Sequence, residues 1–131
     1  MTIVATAPDQ RLVQGLRVGA VLTLISLAFQ YVTAGQLFPQ GGPEELHAGG
    51  AIVLHLLSGL TAVAAVLLWR RGNAPVAMPV LAAVVCVLTF VQAATGGRDT
   101  LWIHVPGAMI VTAGAVWLAV RAFSRSLTRA R

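Results

Sequence analysis

Two short stretches of the sequence each begin with a histidine and place a glycine three residues later. His47 begins HAGGAIV, and His104 begins HVPGAMI much further along the chain. A pair of imidazoles can ligate a heme iron, because an iron porphyrin takes one nitrogen ligand on each face. On a helix, Gly50 and Gly107 share a face with their histidines, which leaves room for a flat group or for close helix contact. The pattern predicts His47 and His104 as axial heme ligands.

Four other polar side chains could contribute to such a site. His55 lies about 12 Å deeper than His47 at a rise of about 1.5 Å per residue; it could ligate metal, line a quinone site, relay a proton or bond to a neighbouring helix. Gln30 and Gln92 could bind porphyrin edge groups or hold helices together. Arg98 could pair with heme propionates or remain a solvated loop charge. Two histidines are too few for a structural zinc ion, which takes four donors.

The elements that must position these side chains are apolar runs. The chain has 131 residues, of which 57% are hydrophobic and 10% charged, and its mean hydropathy is +0.82. A hydrocarbon core of about 30 Å is crossed by about 20 helical residues. Four runs free of Asp, Glu, Lys and Arg approach this length. The sequence predicts transmembrane helices over residues 18–34, 46–69, 76–94 and 101–120.

The arginines predict the orientation of these helices. Apart from Arg98, all of them fall on the side shared by the two termini and the loop between helices 2 and 3. The positive-inside rule then places both termini in the cytoplasm of a bacterium, with the protein in its inner membrane. The net charge of +5 is explained by topology, so no nucleic-acid partner is predicted. We divide the chain into a cytoplasmic segment 1–16, a membrane domain 17–122 and a basic cytoplasmic tail 123–131.

The chain also contains an internal repeat. The first span ends FQYVTAG and the third ends VQAATGG, which matches Gln30 to Gln92 and Thr33 to Thr95. Each of these spans is followed by one of the histidine-headed stretches. The predicted fold is therefore an all-α integral membrane four-helix bundle made of two tandem helical hairpins, related as parallel repeats. This arrangement places both imidazoles at one depth near the outer surface.

The stretches EELHAGG (44–50) and IHVPGA (103–108) resemble one four-helix half of the heme A synthase family. In that family the second and fourth helices supply heme-ligating histidines, and the second helix begins Glu-x-x-His-Arg. Its acidic residue is implicated in oxidising heme O. Glu44 and His47 match this motif, whereas position 48 is Ala. The resemblance covers most of residues 17–122 and implies a bis-histidine heme, with Glu44 as a candidate catalytic residue. The chain also looks like small four-helix membrane proteins of high-GC bacteria, which implies no function.

Three functions remain open at this stage. The first is electron transfer by a bis-histidine heme b, with a quinone or a redox protein as partner, because two axial imidazoles leave the iron no open position. The second is an oxidoreductase of the heme A synthase type acting on heme O or A, in which a homodimer would restore the eight helices usual for that family. The third is a cofactor-free accessory subunit or small transporter component that lies in the lipid bilayer, and its polar residues would serve helix packing.

Overall fold

The computed structural model describes residues 9–38 and 41–124. Over these residues the chain forms four α-helices and no strands. All four helices are long and apolar enough to cross a membrane, so the prediction of an all-α chain with four candidate spans is confirmed. A 3-10 turn at Arg98–Thr100 leads into the last helix. The helices are α1 (Gln10–Leu37), α2 (Glu44–Arg70), α3 (Ala77–Ala94) and α4 (Leu101–Phe123).

The first helix begins earlier than the apolar run suggested. The Asp9 side chain accepts hydrogen bonds from the backbone N–H groups of Arg11 and Leu12, and so caps the helix. A side-chain oxygen at this position satisfies amide groups that otherwise have no partner within the helix. Residues 10–16, predicted as part of an N-terminal segment, therefore belong to α1.

The second helix begins close to its predicted start. Pro43 is the residue before the helix, and Glu44 begins α2, two residues before the predicted span 46–69. The outer parts of the predicted terminal segments, residues 1–8 and 125–131, lie outside the described residues.

The four helices pack as a ring in chain order. Helix α1 packs against α2 and α4, and α3 packs against the same two helices. The two helices that carry the histidines, α2 and α4, therefore face each other across the bundle axis. Most of the interior is filled by apolar side chains in two layers. These are Val13, Leu16, Ala65, Leu68, Met78, Ala82, Leu118 and Ala122 at one end, and Leu27, Leu54, Val85, Val111 and Ala115 in the middle.

Polar contacts join several helix ends at the arginine-rich end of the bundle. Arg17 Nε donates a hydrogen bond of 3.0 Å to the carbonyl of Ala122, near the end of α4. Arg71, which follows α2, forms an ion pair with Asp9 in front of α1. The start of α1 and the ends of α2 and α4 thus share one end, and the starts of α2 and α4 lie at the other.

The outer surface of the bundle is apolar. Leu56 on α2, Val87 on α3 and Ile110 on α4 are each 60% exposed or more. Extensive apolar exposure is unusual on a soluble monomer but is what lipid chains favour. Inside, Thr23 and Thr61 are almost fully buried, with their hydroxyl oxygens 3.4 Å apart.

Candidate functional site

His47 and His104 lie near each other at the end of the bundle opposite the Arg17–Ala122 and Arg71–Asp9 contacts. Each is the fourth residue of its helix, α2 or α4. Their ring centres are 6.4 Å apart, and their ring planes form an angle of 64°. The two matched histidines therefore come from opposite walls of the bundle to one place in its interior.

The His47 ring is oriented by a threonine of α1. Its Nδ1 lies 2.9 Å from Thr33 Oγ1. The Thr33 hydroxyl donates its own hydrogen to the carbonyls of Phe29 and Gln30, each at 3.1 Å. A hydroxyl has one hydrogen, so Thr33 accepts the Nδ1–H of His47. The Nε2 atom of His47 consequently carries the free lone pair of a neutral imidazole.

The His104 ring is oriented in the same sense by a different acceptor. Its Nδ1 lies 3.0 Å from the backbone carbonyl of Gln92, which can only accept. Nδ1 therefore carries the hydrogen and Nε2 the lone pair. Histidines that ligate metals usually donate their second ring N–H to such an oxygen, which fixes tautomer and orientation. Both rings have this arrangement.

The separation of the rings can be compared with the separation that two axial ligands require. A metal–imidazole nitrogen bond is about 2 Å long, and the nitrogen lies about 1.1 Å from the centre of a five-membered ring with bonds of about 1.35 Å. Two Nε2 ligands on opposite sides of one iron thus place their ring centres about 6.3 Å apart. The observed 6.4 Å agrees with this value. Each ring plane contains the iron–nitrogen axis, so the 64° angle between the planes is compatible with the same arrangement.

A cavity of about 610 Å³ adjoins the two imidazoles. Pockets for cofactor-sized ligands measure about 300–1,000 Å³. All three histidines line it, together with apolar side chains such as Leu37, Phe38 and Leu101. The exposed Glu44 and Arg98 also line it, which places the candidate catalytic carboxylate and the candidate propionate partner on the same cavity as the histidines.

The two matched glycines make room for glutamines of the preceding helices. A methyl group added at Gly50 would overlap the amide of Gln30, and one at Gly107 would overlap the amide of Gln92. Gln30 Nε2 also donates to the carbonyl of His47 at 3.1 Å. Of the two roles considered for the glycines, close helix contact is the one seen, and Gln30 joins α1 to α2. Gln92 Oε1 has no hydrogen-bond partner, the only such buried side-chain atom among the described residues.

A deeper cavity of about 80 Å³ is lined by the three histidines and both glutamines. Gln92 Oε1 is buried beside it, so a polar group there could satisfy this oxygen. The contacts of His55 differ from those of the other two histidines, because its ring stacks on Phe90 at 4.1 Å. The structure thus brings the rings of His47 and His104 together, whereas His55 lines the same cavities but has a ring contact with Phe90 instead.

A bare metal ion fits this site poorly. Over the described residues, no group of three or more His, Cys, Asp or Glu side chains is arranged to hold a metal. Two imidazoles alone leave most of a coordination sphere empty, whereas a porphyrin supplies four equatorial nitrogens of its own. The donor set therefore suits iron in a tetrapyrrole better than a free metal ion.

Searches against protein family models, curated proteins and solved structures found no match. The site has to be interpreted from its own geometry. Sequence analysis singled out both imidazoles, but it did not identify Thr33 as the acceptor for His47 or Phe90 as the partner of His55. For Thr33 a signal was present, since it lies in the same matched segment as Gln30 and is itself matched by Thr95 in the other segment.

Proposed function

We propose that the protein is a membrane heme protein that transfers single electrons, with His47 and His104 as the axial ligands of one b-type heme. The observation that carries the proposal is the 6.4 Å separation of two imidazoles from diagonal helices. Both rings donate their Nδ1–H to an oxygen, which leaves two Nε2 lone pairs for the iron. The cavity beside them has the volume and the apolar walls that a macrocycle needs.

The residues of the chain would each have a defined part in this function. His47 and His104 would hold the heme iron from its two faces and leave it no open position for oxygen, so the heme would supply reversible one-electron chemistry. Arg98, on the wall of the larger cavity, is suited to pair with a propionate. The apolar side chains around the cavity would lower the polarity around the heme, which tunes its reduction potential.

The proposal includes a location and a topology. The arginine-rich end, where Arg17, Arg71 and the last turn of α4 meet, is assigned to the cytoplasm of a bacterium by the positive-inside rule. The heme site then lies near the outer face of the inner membrane. The matched residues of the two hairpins support a parallel internal repeat, with the imidazole pair across its axis.

Absorption spectroscopy of the detergent-purified protein tests the proposal. We expect a Soret band and, on reduction, the sharp α and β bands of a low-spin heme. His47→Ala and His104→Ala should each abolish these bands, because each variant removes one axial ligand, and His55→Ala should preserve them. If His55→Ala alone removes the bands, the ligand assignment is wrong. A wild-type protein without bands would favour a cofactor-free accessory subunit.

A second candidate is a heme-modifying oxidoreductase similar to heme A synthase. The observation that favours it is that Glu44 lines the same cavity as both imidazoles. Ala48, which occupies the arginine position of that family's motif, lines this cavity as well. Extraction and chromatography of the bound heme distinguish the two functions. Heme O or A in the extract would favour the enzyme, whereas heme B alone would favour electron transfer. A change of the bound heme type in Glu44→Gln would support a catalytic role for Glu44.

A further inference from the structure

His55 is held in one tautomer by a chain of two hydrogen bonds. Its Nδ1 lies 2.9 Å from Thr89 Oγ1, and the Thr89 hydroxyl donates to the carbonyl of Cys86 at 2.6 Å. Thr89 is 1% exposed, so water does not compete for its hydroxyl. Thr89 therefore accepts the Nδ1–H of His55, which leaves the Nε2 atom of His55 as a hydrogen-bond acceptor only.

The His55 ring also has a flat neighbour. The ring of Phe90 lies parallel to it, with centres 4.1 Å apart and planes at 12°. A hydrogen bond to Nε2 lies in the plane of the His55 ring, so a planar partner would lie beside this stack and contact the edge of Phe90. A single acceptor atom beside an aromatic surface suits a flat ring that carries a hydroxyl group.

The position of this pair makes it accessible from the lipid phase. His55 is half-buried in the apolar part of α2, whereas Ile52 one turn away is 62% exposed and Phe90 is 54% exposed. Ile52 and His55 both line the larger cavity, so that cavity extends towards the lipid-facing side of α2. A molecule that reaches His55 by this route must be soluble in the membrane.

The same features are absent from the matched position of the other hairpin. Extending the match of His47 to His104 along the helices pairs His55 with Thr112, and extending the match of Gln30 to Gln92 pairs Phe90 with Ala28. Thr112 lies 2.9 Å from the hydroxyl of Tyr31 and donates to a carbonyl of its own helix. The proposed heme ligands, His47 and His104, occupy matched positions. Heme ligation therefore does not explain why His55 and Phe90 have no counterparts in the other half of the chain.

We propose that His55, Thr89 and Phe90 form a binding site for a membrane quinol, whose hydroxyl donates a hydrogen bond to His55 Nε2 while its ring lies beside the imidazole, next to the edge of Phe90. The site adjoins the cavity that His47 and His104 line. If the proposed heme is present, the quinol is its electron donor. The quinol would then give up one electron to the heme while its hydroxyl proton moves to His55 Nε2, which leaves the neutral one-electron-oxidised quinol. The binding itself does not depend on heme, whereas the electron transfer rests on the proposed function.

Thermal unfolding of the purified protein with a short-chain ubiquinol, or with the corresponding quinone, tests the binding. An Nε2 lone pair accepts from a hydroxyl but repels a carbonyl oxygen, so the quinol should bind at least tenfold more tightly. At a hundredfold excess over its Kd, the quinol should raise the wild-type Tm by about 5 °C or more. His55→Leu should lose this rise and Phe90→Ala should weaken it. Thr112→Val, altered at the matched position on α4, should retain it.

Three outcomes would overturn the inference. The first is a quinol that does not raise the wild-type Tm. The second is an equal rise with quinol and quinone, which would indicate partitioning into the detergent micelle. The third is a full rise in both His55→Leu and Phe90→Ala. The wild-type comparison of the two ligands needs no variant, so it decides the question even if His55→Leu does not fold.

A kinetic measurement separates this inference from the heme proposal. In heme-loaded protein, His55→Leu should slow heme reduction by the quinol at least tenfold and leave reduction by dithionite unchanged. If wild type and His55→Leu both have a normal heme spectrum and the quinol reduces their heme at the same rate, the quinol site is contradicted but the heme proposal is not. A wild-type protein without a Soret band would contradict the heme proposal, and the Tm measurements would still decide whether the quinol binds.

Discussion

Replacing Thr33 by valine should weaken heme binding although Thr33 is not a ligand. Thr33 is 2% exposed, and its Oγ1 accepts the Nδ1–H of His47 at 2.9 Å. Valine has nearly the same shape and removes only the hydroxyl. With valine at position 33, the free protein can move the hydrogen of His47 to Nε2. Binding iron requires the hydrogen back on Nδ1, where it would face a methyl group.

The size of this effect follows from the cost of the unpaired N–H. A buried donor without an acceptor costs about 1–3 kcal/mol, and about 1.4 kcal/mol corresponds to a factor of ten in Kd. Loss of an oxygen that orients a metal-ligating histidine typically weakens metal binding about 10- to 100-fold. We therefore expect Thr33→Val to raise the Kd for heme about 10- to 100-fold, measured by titrating apo-protein with hemin at the Soret maximum.

The repeat offers a matched control at Thr95. Its hydroxyl donates to the carbonyls of Val91 and Gln92, just as Thr33 donates to the carbonyls of Phe29 and Gln30. The His104 Nδ1–H, however, goes to the Gln92 carbonyl instead of the threonine. Thr95→Val should therefore leave the Kd within about twofold of wild type, since it removes no hydrogen bond from either ring. Equal Kd values for Thr33→Val and Thr95→Val would refute the assigned role of Thr33.

Two further predictions concern the fold that supports the site. Gly50→Ala should destabilise the protein by about 1–3 kcal/mol, because the added methyl group overlaps the Gln30 amide. The control Gly49→Ala, next to open space, should leave the stability unchanged or slightly increase it in thermal unfolding. Equal Tm values for the two variants would contradict the packing described. The proposed topology can be tested with Arg98→Cys and Arg71→Cys, each made in a cysteine-free background. In intact cells, an impermeant maleimide should label position 98 and not position 71. Labelling at position 71 alone would show that the orientation is the reverse of the one proposed.

The four helices could be predicted from the sequence because the physical requirement of a membrane span is simple. A run of about 20 apolar residues without charge has few alternatives to a helix in lipid. The early start of α1 was missed, because residues 10–17 are too polar to belong to an apolar run and depend on the Asp9 cap. A capping residue stabilises a helix locally, whatever the polarity of the turn that follows.

Part of the site could be predicted from the repeat, and part depended on packing. The matched stretches identified His47 and His104, and both are the fourth residue of a helix because each stretch begins at an equivalent point. Their acceptors differ, a threonine hydroxyl for His47 and a backbone carbonyl for His104. The connection between α1 and α2 differs in sequence and length from the connection between α3 and α4. The matched Thr33 and Thr95 therefore do not contact the two rings in the same way, and a sequence match alone cannot show this.

The contacts of His55 also lay beyond the sequence pattern. Which α3 side chain it meets is set by how α2 and α3 are rotated and shifted against each other, and periodicity does not determine that register. Sequence analysis therefore left His55 with several roles. In the structure, the His55 ring contacts the buried hydroxyl of Thr89 through Nδ1 and stacks on the exposed ring of Phe90.

The central claim is that His47 and His104 bind opposite faces of one heme iron. Its most direct test is the absorption spectrum of the dithionite-reduced wild-type protein before and after addition of carbon monoxide. With both axial positions filled by imidazole, we predict sharp low-spin bands that carbon monoxide leaves unchanged. A spectrum without heme bands, or a Soret band that shifts at once on adding carbon monoxide, would contradict the claim.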